Sequence, residues 1–390
     1  MAARSPVVTV LAIGMAATIG LGIARFAYSL VLPAMRAELD LSYGQAGWLN
    51  TTNALGYLLG AMAAPRVAAR FGTRGMTLWG VVACIASLAL CAASRDLFVL
   101  NVARSVAGLG GAFAFVGGGA MAARLAGEAG AAGRGRSGTV LGLYYAMPGV
   151  GIALSGVLVP AVIAAGGTAA WPTAWWVLAA FCVPLAAWLL LGSRGQDIRI
   201  AAAGRAAAVP MGWIGFGYFL FGAGYIGYMT FMIAFVRDGG GGPAAQGAFW
   251  VTIGAGAVAS AWLWRGVLER LAGGRAFALL CALCAGGAAI PVFGDDYVLL
   301  LVSAALFGST FFSVVASTTA FVRRNYGPEG WTRGIGALTV VFGLGQIVGP
   351  TLVGLVNDAT GDLTIGLLAS ALLLVLGAFV ALPQRDQKGA

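Results

Sequence analysis

Apolar runs long enough to cross a membrane follow one another along the whole chain, and short polar segments separate them. A helix needs roughly 20 apolar residues to span the hydrocarbon core of a bilayer. The pattern predicts twelve such spans, and hence an all-α polytopic membrane protein. The predicted spans cover residues 8–32, 44–64, 76–94, 97–123, 138–164, 172–192, 211–235, 246–264, 276–293, 297–322, 334–356 and 364–382.

The composition supports the same class of protein. Hydrophobic residues make up 60% of the chain and charged residues only 9%, with a mean hydropathy of +0.91. Soluble proteins carry about a quarter charged residues. The net charge of +10 comes from basic residues that stand singly or in short groups between the apolar runs. Without a dense basic stripe, nucleic acid is excluded as a partner, and the lipid bilayer is predicted instead.

The basic residues predict the orientation. The two termini and the loops that lead from even-numbered to odd-numbered spans hold 18 of the 23 basic residues. The opposite set of loops holds only Arg36, Arg95 and Arg237. By the positive-inside rule the first set is cytoplasmic. We therefore expect both termini in the cytoplasm and a multi-pass protein of a bacterial-type inner membrane.

Several kinds of chemistry are absent from the predicted spans. The chain has no histidine, and all 13 acidic residues fall outside the spans. The five cysteines lie in apolar runs, where they pack as small hydrophobes. No metal site and no cofactor are predicted, and an enzyme is disfavoured for lack of acid and base groups. A proton relay through buried acids is also disfavoured, although an acid at a helix mouth could still serve.

Two arginines interrupt the apolar spans. Arg25 is the only charged residue between Val7 and Met35, and Arg104 lies in the fourth span. At 1.5 Å per residue, each lies roughly 10 Å inside the outer boundary. A guanidinium in hydrocarbon costs at least about 2.5 kcal/mol, so such residues usually face a bundle interior or a wet cavity. The alternative is that Arg25 snorkels to the lipid headgroups.

The chain repeats itself at half its length. Glycine, tryptophan and arginine positions recur about 200 residues later, and a parallel repeat of six helices explains this. We expect an N-terminal bundle at residues 1–192, a cytoplasmic linker at 193–210 and a C-terminal bundle at 211–390. The matching sets are Gly20, Gly22 and Trp48 with Gly222, Gly224 and Trp250; Gly72 and Arg74 with Gly273 and Arg275; and Gly138, Gly151 and Gly156 with Gly336, Gly349 and Gly354.

Three motifs carry a resemblance to a known family. The segment GAMAAPRVAARFGTRG follows span 2, WRGVLERLAGGR follows span 8, and span 4 contains RSVAGLGGAF. Together they resemble the major facilitator superfamily over the whole chain, which implies the twelve-helix facilitator fold. The phrases GLGIARFAY and FGAGYIGYMTF are similar to its YbfB/YjiJ subgroup. The acid usual in the first loop is missing, since Ala64 and Pro65 stand near its position.

The resemblance implies a gate in the two basic loops. Arginines there could bind helix carbonyls and acids of the other half until the halves rock. A purely topogenic charge cluster is the alternative. The predicted gating residues are Arg70, Gly72, Arg74, Arg265, Glu269, Arg270 and Arg275.

The resemblance also implies that helices 1, 4, 7 and 10 line a central cavity. Arg25 and Arg104 would then point into it and bind an anionic group, because the arginine fork suits carboxylate and phosphate oxygens. Hydroxyl, amide and aromatic side chains of neighbouring spans would set specificity. These candidate residues are Tyr28, Asn50, Asn53, Tyr144, Tyr145, Tyr218, Tyr225, Tyr228 and Gln346.

The sequence therefore predicts a transporter of a small organic anion or amphipathic solute that works by alternating access, as a monomer. The lack of acids in the spans favours uniport or anion exchange. Three alternatives stay open: a proton-coupled exporter of the multidrug type, a transporter of a neutral solute whose arginines bind helix carbonyls, and a receptor that does not transport.

Overall fold

The computed structural model describes residues 5–131, 137–197, 211–294, 296–327 and 330–386. In this part of the chain the regular elements are all helices, and no β-strand occurs. The all-α prediction is confirmed. Most of the predicted linker, residues 198–210, lies outside the described ranges.

A helix lies over each of the twelve predicted spans. Helix α1 is Pro6–Leu39. Helices α2 and α3 form one continuous segment, Tyr43–Ala93, which bends at Gly72 into residues 43–71 and 73–93. The others are α4 Leu97–Ala131, α5 Ser137–Gly166, α6 Trp171–Gly192, α7 Gly212–Asp238, α8 Pro243–Leu263, α9 Arg275–Ala289, α10 Tyr297–Asn325, α11 Trp331–Thr360 and α12 Leu363–Ala381.

Ten described helices are long and apolar enough to cross a membrane by length and composition. One of the ten, Tyr43–Ala93, holds two predicted spans, because Gly72 turns the chain between them at a φ of 75°. That conformation is disfavoured for residues with a Cβ atom. Helix α8 is not among the ten, but its 21 residues include no charged side chain. The twelve-helix prediction is therefore confirmed.

The helices extend beyond the apolar runs at several ends. Glu38, Glu128, Asp238 and Asp358 lie within helical bounds, each in the last turns of its helix. The prediction that helices contain no carboxylate was therefore wrong in this respect. The reason is that backbone hydrogen bonding continues into polar turns, where hydropathy has already fallen.

The contacts divide the chain into two compact units. The first comprises Met1–Leu39 and Thr52–Ala201, and the second comprises Asp40–Thr51 and Ala202–Ala390. The first turns of α2 thus belong with the second unit, and the rest of α2 belongs with the first. The predicted N-terminal bundle, residues 1–192, included all of α2, whereas residues 40–51 group with the second unit.

A glycine at one matched position of the repeat allows close contact between a matched pair of helices in each unit, α1 with α5 and α7 with α11. In the first unit, a Cβ atom at Gly151 of α5 would overlap the carbonyl oxygen of Thr18 in α1. In the second, a Cβ atom at Gly349 of α11 would overlap the carbonyl oxygen of Ala223 in α7. Small residues allow such close approach of membrane helices. Gly151 and Gly349, one matched pair of the sequence repeat, therefore mark the same packing contact in both units.

Candidate functional site

Helix α1 is interrupted where the sequence reads TIGLGIARFAY. An α-helix, Pro6–Ala17, passes into a π-helix, Thr18–Ile23, and four turn residues, 24–27, precede the second α-helix, Tyr28–Leu39. The amide of Ala24 donates to the carbonyl of Ile19 at 2.8 Å, five residues back. Such bulges are frequent at functional sites. The interruption places Arg25 within the turn.

Arg104 of α4 binds the backbone of this turn. Its Nη1 donates to the carbonyl oxygen of Ala24 at 2.7 Å, and its Nη2 donates to that of Arg25 at 3.1 Å. Its side chain is buried, and its guanidinium carbon lies 4.7 Å from the centre of the Tyr28 ring. Arg104 thus makes the helix-carbonyl contacts of one alternative left open by the sequence, because the altered helix presents carbonyl groups to its fork.

Arg25 lies among aromatic rings. Its side chain is 3% exposed, and its guanidinium carbon is 4.9 Å from the centre of the Tyr57 ring and 5.8 Å from that of Phe26. A cation over a ring face is attracted by the ring quadrupole. Burial of this degree does not fit the snorkelling alternative. The structure thus brings Arg25 and Arg104 together at one buried place in the first unit.

The arginine pair has no equivalent in the second repeat. Ala304 of α10 stands about 200 residues after Arg104, and Gly227 of α7 stands about 200 residues after Arg25. The repeat is therefore symmetric at the packing glycines Gly151 and Gly349 and asymmetric in its buried charge. Asymmetry at matched positions indicates that the arginines are not needed for the helix packing common to both units.

The other candidates of the first unit hold helices together in this structure. The side-chain amide of Asn53 donates to the carbonyl oxygen of Arg104 at 3.0 Å. The hydroxyl of Tyr144 donates to the carbonyl oxygen of Phe115 at 2.6 Å, and its side chain is buried. Tyr145 is 49% exposed and packs edge-on against the Tyr144 ring. Of these three, Tyr145 has the most accessible side chain.

The candidates of the second unit form part of an aromatic core along α7. Tyr218 stacks on Phe342 with ring centres 4.5 Å apart. The amide of Gln346 donates to the hydroxyl of Tyr225 at 2.6 Å, and Tyr228 shares a hydrogen bond of 2.7 Å with Ser303.

Asn50 belongs to the same unit through α2, and its amide donates to the hydroxyl of Thr230 at 2.6 Å. Phe221, Phe342 and Thr230 were not predicted as neighbours of these residues. Helical spacing of rings at 218, 221, 225 and 228 was the signal that could have found Phe221.

The segment predicted as the first basic loop is helical apart from the bend at Gly72, and Asp197 places a carboxylate beside this bend. Its carboxylate accepts from the amide of Arg74 at 3.0 Å and from the hydroxyl of Thr73 at 3.4 Å, so it caps the start of α3. Arg74 also donates to the carbonyl oxygen of Leu190 at 2.9 Å. Arg70 lies over the Phe71 ring at 5.3 Å. Asp197 was missed because it follows α6, more than 120 residues along the chain.

The second basic loop is arranged differently. Arg265 and Glu269 form an exposed ion pair of 2.8 Å on the short helix Arg265–Arg270, and this contact raises the pKa of the Arg265 guanidinium. Arg275 begins α9 after the turn at Gly273. Arg324 of α10 donates to the carbonyl oxygens of Leu271 and Leu268. The contacts seen for the first loop lie inside the first unit, and those seen for the second loop lie inside the second unit. The gating role stays a prediction.

A cavity of about 490 Å³ opens among helix ends in the second unit. Its walls include Tyr43, Asp238, Phe293 and Asp362, which border interhelical connections. None of the candidate substrate residues lines it. Among the described residues, no group of three or more cysteine or acidic side chains is placed to hold a metal ion.

The fold, with twelve apolar helices in a doubled arrangement, defines a multi-pass membrane protein. The chain belongs to the family described as "Uncharacterised MFS-type transporter YbfB", whose model matches residues 17–382. The resemblance to the major facilitator superfamily is therefore confirmed. Comparison with curated protein sequences finds no match.

Solved structures of this superfamily share the fold. A bacterial homologue of the human lysosomal transporter Spinster superimposes with a TM-score of 0.74 at 14% identity, over 99% of this chain and 100% of the other. The nucleoside transporter NupG gives 0.72 at 14% identity, over 96% and 99%. The E. coli fucose:proton symporter FucP gives 0.64 at 14% identity, over 99% and 100%. At this identity the likeness establishes the fold alone.

Proposed function

We propose that the protein transports a small organic solute with an anionic group and an apolar body, by alternating access. The observation that carries the proposal is the joint burial of Arg25 and Arg104 at the interruption of α1. Carbonyl oxygens share hydrogen bonds with a guanidinium but bring no formal negative charge. Two positively charged groups meet at this place, and a low-dielectric environment strengthens the attraction between such charges and an anion.

The two arginines have different tasks in this proposal. Arg104 holds the turn of α1 through two backbone carbonyls, so its fork is committed to positioning. Arg25 is carried by that turn and meets the anionic group. Tyr57 and Phe26 flank its guanidinium and offer ring faces to an apolar part of the solute. Tyr145, whose side chain is half exposed, is the candidate for a hydroxyl contact.

The similar structures do not narrow the chemical class of the solute. Their names refer to a nucleoside and to a sugar, so the fold accepts chemically distinct cargo. The buried positive charge of this chain is what favours an anion. The absence of acidic residues from the predicted spans supports uniport or anion exchange. Cytoplasmic termini, an inner-membrane location, a monomeric state and gating by the basic loops are part of the same proposal.

The contacts of Arg104 favour one second candidate, a neutral solute. If Arg25 also served only the fold, the pair would need no anion. A proton-coupled exporter would need a peripheral acid, and a receptor would bind its ligand without moving it. The three candidates differ from the proposal in two respects. One is the class of solute that crosses the membrane, and the other is the part that Arg25 plays in binding it.

The test uses purified protein in proteoliposomes and four labelled probes. Benzenesulfonate and phenyl phosphate are anions with an apolar body, uridine is neutral, and tetraphenylphosphonium is a hydrophobic cation. We expect saturable uptake of at least one anion. Arg25→Gln should abolish it with little change in thermal stability, whereas Arg25→Lys should retain a part. Arg194→Gln, at an exposed position after α6, is the matched control and should transport normally.

Each contrary result has a defined meaning. Anion uptake that is undiminished in Arg25→Gln overturns the assignment of Arg25. Uptake restricted to uridine or tetraphenylphosphonium overturns the anion class. A proton gradient that drives uptake identifies the proton-coupled alternative. Saturable binding of an anion without uptake of any probe identifies the receptor.

A further inference from the structure

Helix α2 divides its contacts between the two units. From residue 52 onward it packs in the first unit, where Asn53 donates to the backbone of Arg104 and a Cβ atom at Gly56 would overlap the carbonyl oxygen of Ser105. Residues 40–51 instead belong to the second unit. A single helix thus carries two separate sets of partners. If the partners in one set move relative to the partners in the other, α2 must lose its contacts with one of the two sets.

The start of α2 is held by one carboxylate of α11. Asp358 accepts hydrogen bonds from the amides of Tyr43 and Gly44, both at 2.7 Å, one on each of its oxygens. These are the first helical residues of α2, whose amides have no partner within their own helix. A negative group at this end is also favoured by the helix dipole. The acid therefore supplies a cap from another helix.

Further along, the same face of α2 is held by small and polar groups. A Cβ atom at Gly47 would overlap the carbonyl oxygen of Pro350, so the two backbones lie in close contact. The hydroxyl of Thr51 donates to the carbonyl oxygen of Ile347 at 2.7 Å and lies 2.9 Å from the hydroxyl of Thr351. Residues 44, 47 and 51 follow one another at helical spacing.

The two sets of contacts differ in how readily they can open. Asn53 and the backbone of Arg104 are buried, which makes their separation costly. Asp358 is exposed, so water can replace the amides of α2 at its oxygens. The contact of this segment with α11 is made by glycine, threonine and backbone groups, although Leu49 of the same segment is buried and the amide of Asn50 donates to the hydroxyl of Thr230 in α7. The contact with α11 at Asp358, which water can reach, is therefore the one suited to reversible release.

We propose that Asp358 is a latch that holds residues 43–51 of α2 on α11 and releases them once in each transport cycle. The proposal rests on the alternating-access function and names positioning residues for it. Asp358 acts through the amides of Tyr43 and Gly44. The hydroxyl pair of Thr51 and Thr351 is the last contact of the latch along α2, counted from Asp358.

The first test measures opening without any solute. Thr51 is 1% exposed, so Thr51→Cys reports on release through its rate of reaction with a hydrophilic maleimide in nanodiscs. The five native cysteines are buried. Adding Asp358→Ala should raise the rate at least about tenfold, because two charge-assisted hydrogen bonds are lost. Asp358→Glu should restore much of the protection. Asp362→Asn, which removes the acid that caps α12, is the control and should leave the rate unchanged.

The second test locks the latch covalently. The hydroxyls of Thr51 and Thr351 are 2.9 Å apart, so the double variant Thr51→Cys, Thr351→Cys should form a disulfide on mild oxidation. Uptake of the transported probe, benzenesulfonate or phenyl phosphate, should then fall to the level of empty liposomes and return on reduction. Each single variant, oxidised in the same way, should retain uptake.

Two results overturn the latch. One is an unchanged maleimide rate in Asp358→Ala, and the other is full uptake by a quantitatively cross-linked double variant. If neither anion is transported by the wild type, the proposed function fails, but the maleimide rates still decide whether Asp358 holds α2. The two failures are therefore distinguishable.

Discussion

The guanidinium of Arg104 is joined to the backbone carbonyl of Arg25 by a hydrogen bond of 3.1 Å. One buried arginine therefore supports the backbone that carries the other. The sequence contains two arginines of identical chemistry, and this contact distinguishes the role of one from the role of the other. Removing Arg104 should act on the structure of α1, whereas removing Arg25 should act on the solute.

Arg104→Gln should lower the free energy of unfolding by about 2 kcal/mol, because the carbonyls of Ala24 and Arg25 lose a buried, charged donor. Arg104→Lys should recover a part of this loss, since an ammonium group cannot form the two-pronged contact. Thermal unfolding in detergent measures both variants. A stability of Arg104→Gln equal to that of Arg194→Gln would contradict the structural role.

Gly151→Ala should lower the free energy of unfolding by at least about 2 kcal/mol, because the added methyl group would overlap the backbone of α1 at Thr18. Gly138→Ala is the control on the same helix, since a Cβ atom there meets nothing within 4 Å. We expect that variant to be as stable as the wild type. Equal melting temperatures for the two variants would show that α1 and α5 are not in close contact.

Asp197→Ala should lower the free energy of unfolding by about 1 kcal/mol, because the first turn of α3 loses its cap at Thr73 and Arg74. Limited proteolysis near the bend at Gly72 should become faster in the same variant. Glu128→Ala removes an exposed ion pair with Arg124 and serves as the control, with little effect expected. Proteolysis at the wild-type rate would argue against the cap.

The hydrogen bond between Gln346 and Tyr225 should give a coupling energy of about 0.6 kcal/mol, the average for polar pairs between membrane helices. A double-mutant cycle of Gln346→Leu and Tyr225→Phe measures it. The pair Gln346→Leu and Tyr228→Phe is the control and should be additive, because Tyr228 bonds to Ser303. Additivity in both cycles would remove Gln346 from the specific contacts of Tyr225.

Much of the fold was accessible from the pattern of apolar residues. The spans, the doubled glycines and the family followed from it, since a membrane span must be long, apolar and helical. The ends of helices were less accessible. Asp358 looked like a loop residue after span 11, yet it lies in α11 and caps α2. Local hydropathy does not report contacts made with a distant segment.

The proximity of Arg25 and Arg104 was predictable from the sequence, but their hydrogen-bond partners were not. Arg25 and Arg104 were expected at one depth, and the structure brings them together. The interruption of α1 was not predicted, because a π-helix has no distinct sequence signature beyond the glycines of TIGLGI. Asn53 and Tyr144 were expected in a cavity, but they bind backbone carbonyls of α4 in this structure.

The sequence by itself determined the class of protein, the number of helices and the doubled plan, because the cost of placing polar groups in hydrocarbon acts locally on each segment. Only the tertiary structure decided what each polar side chain does. Hydrogen bonding is short-ranged and directional, so the partners of Arg104, Asp197 and Asp358 depend on residues that are far apart in the chain and meet only when it is folded.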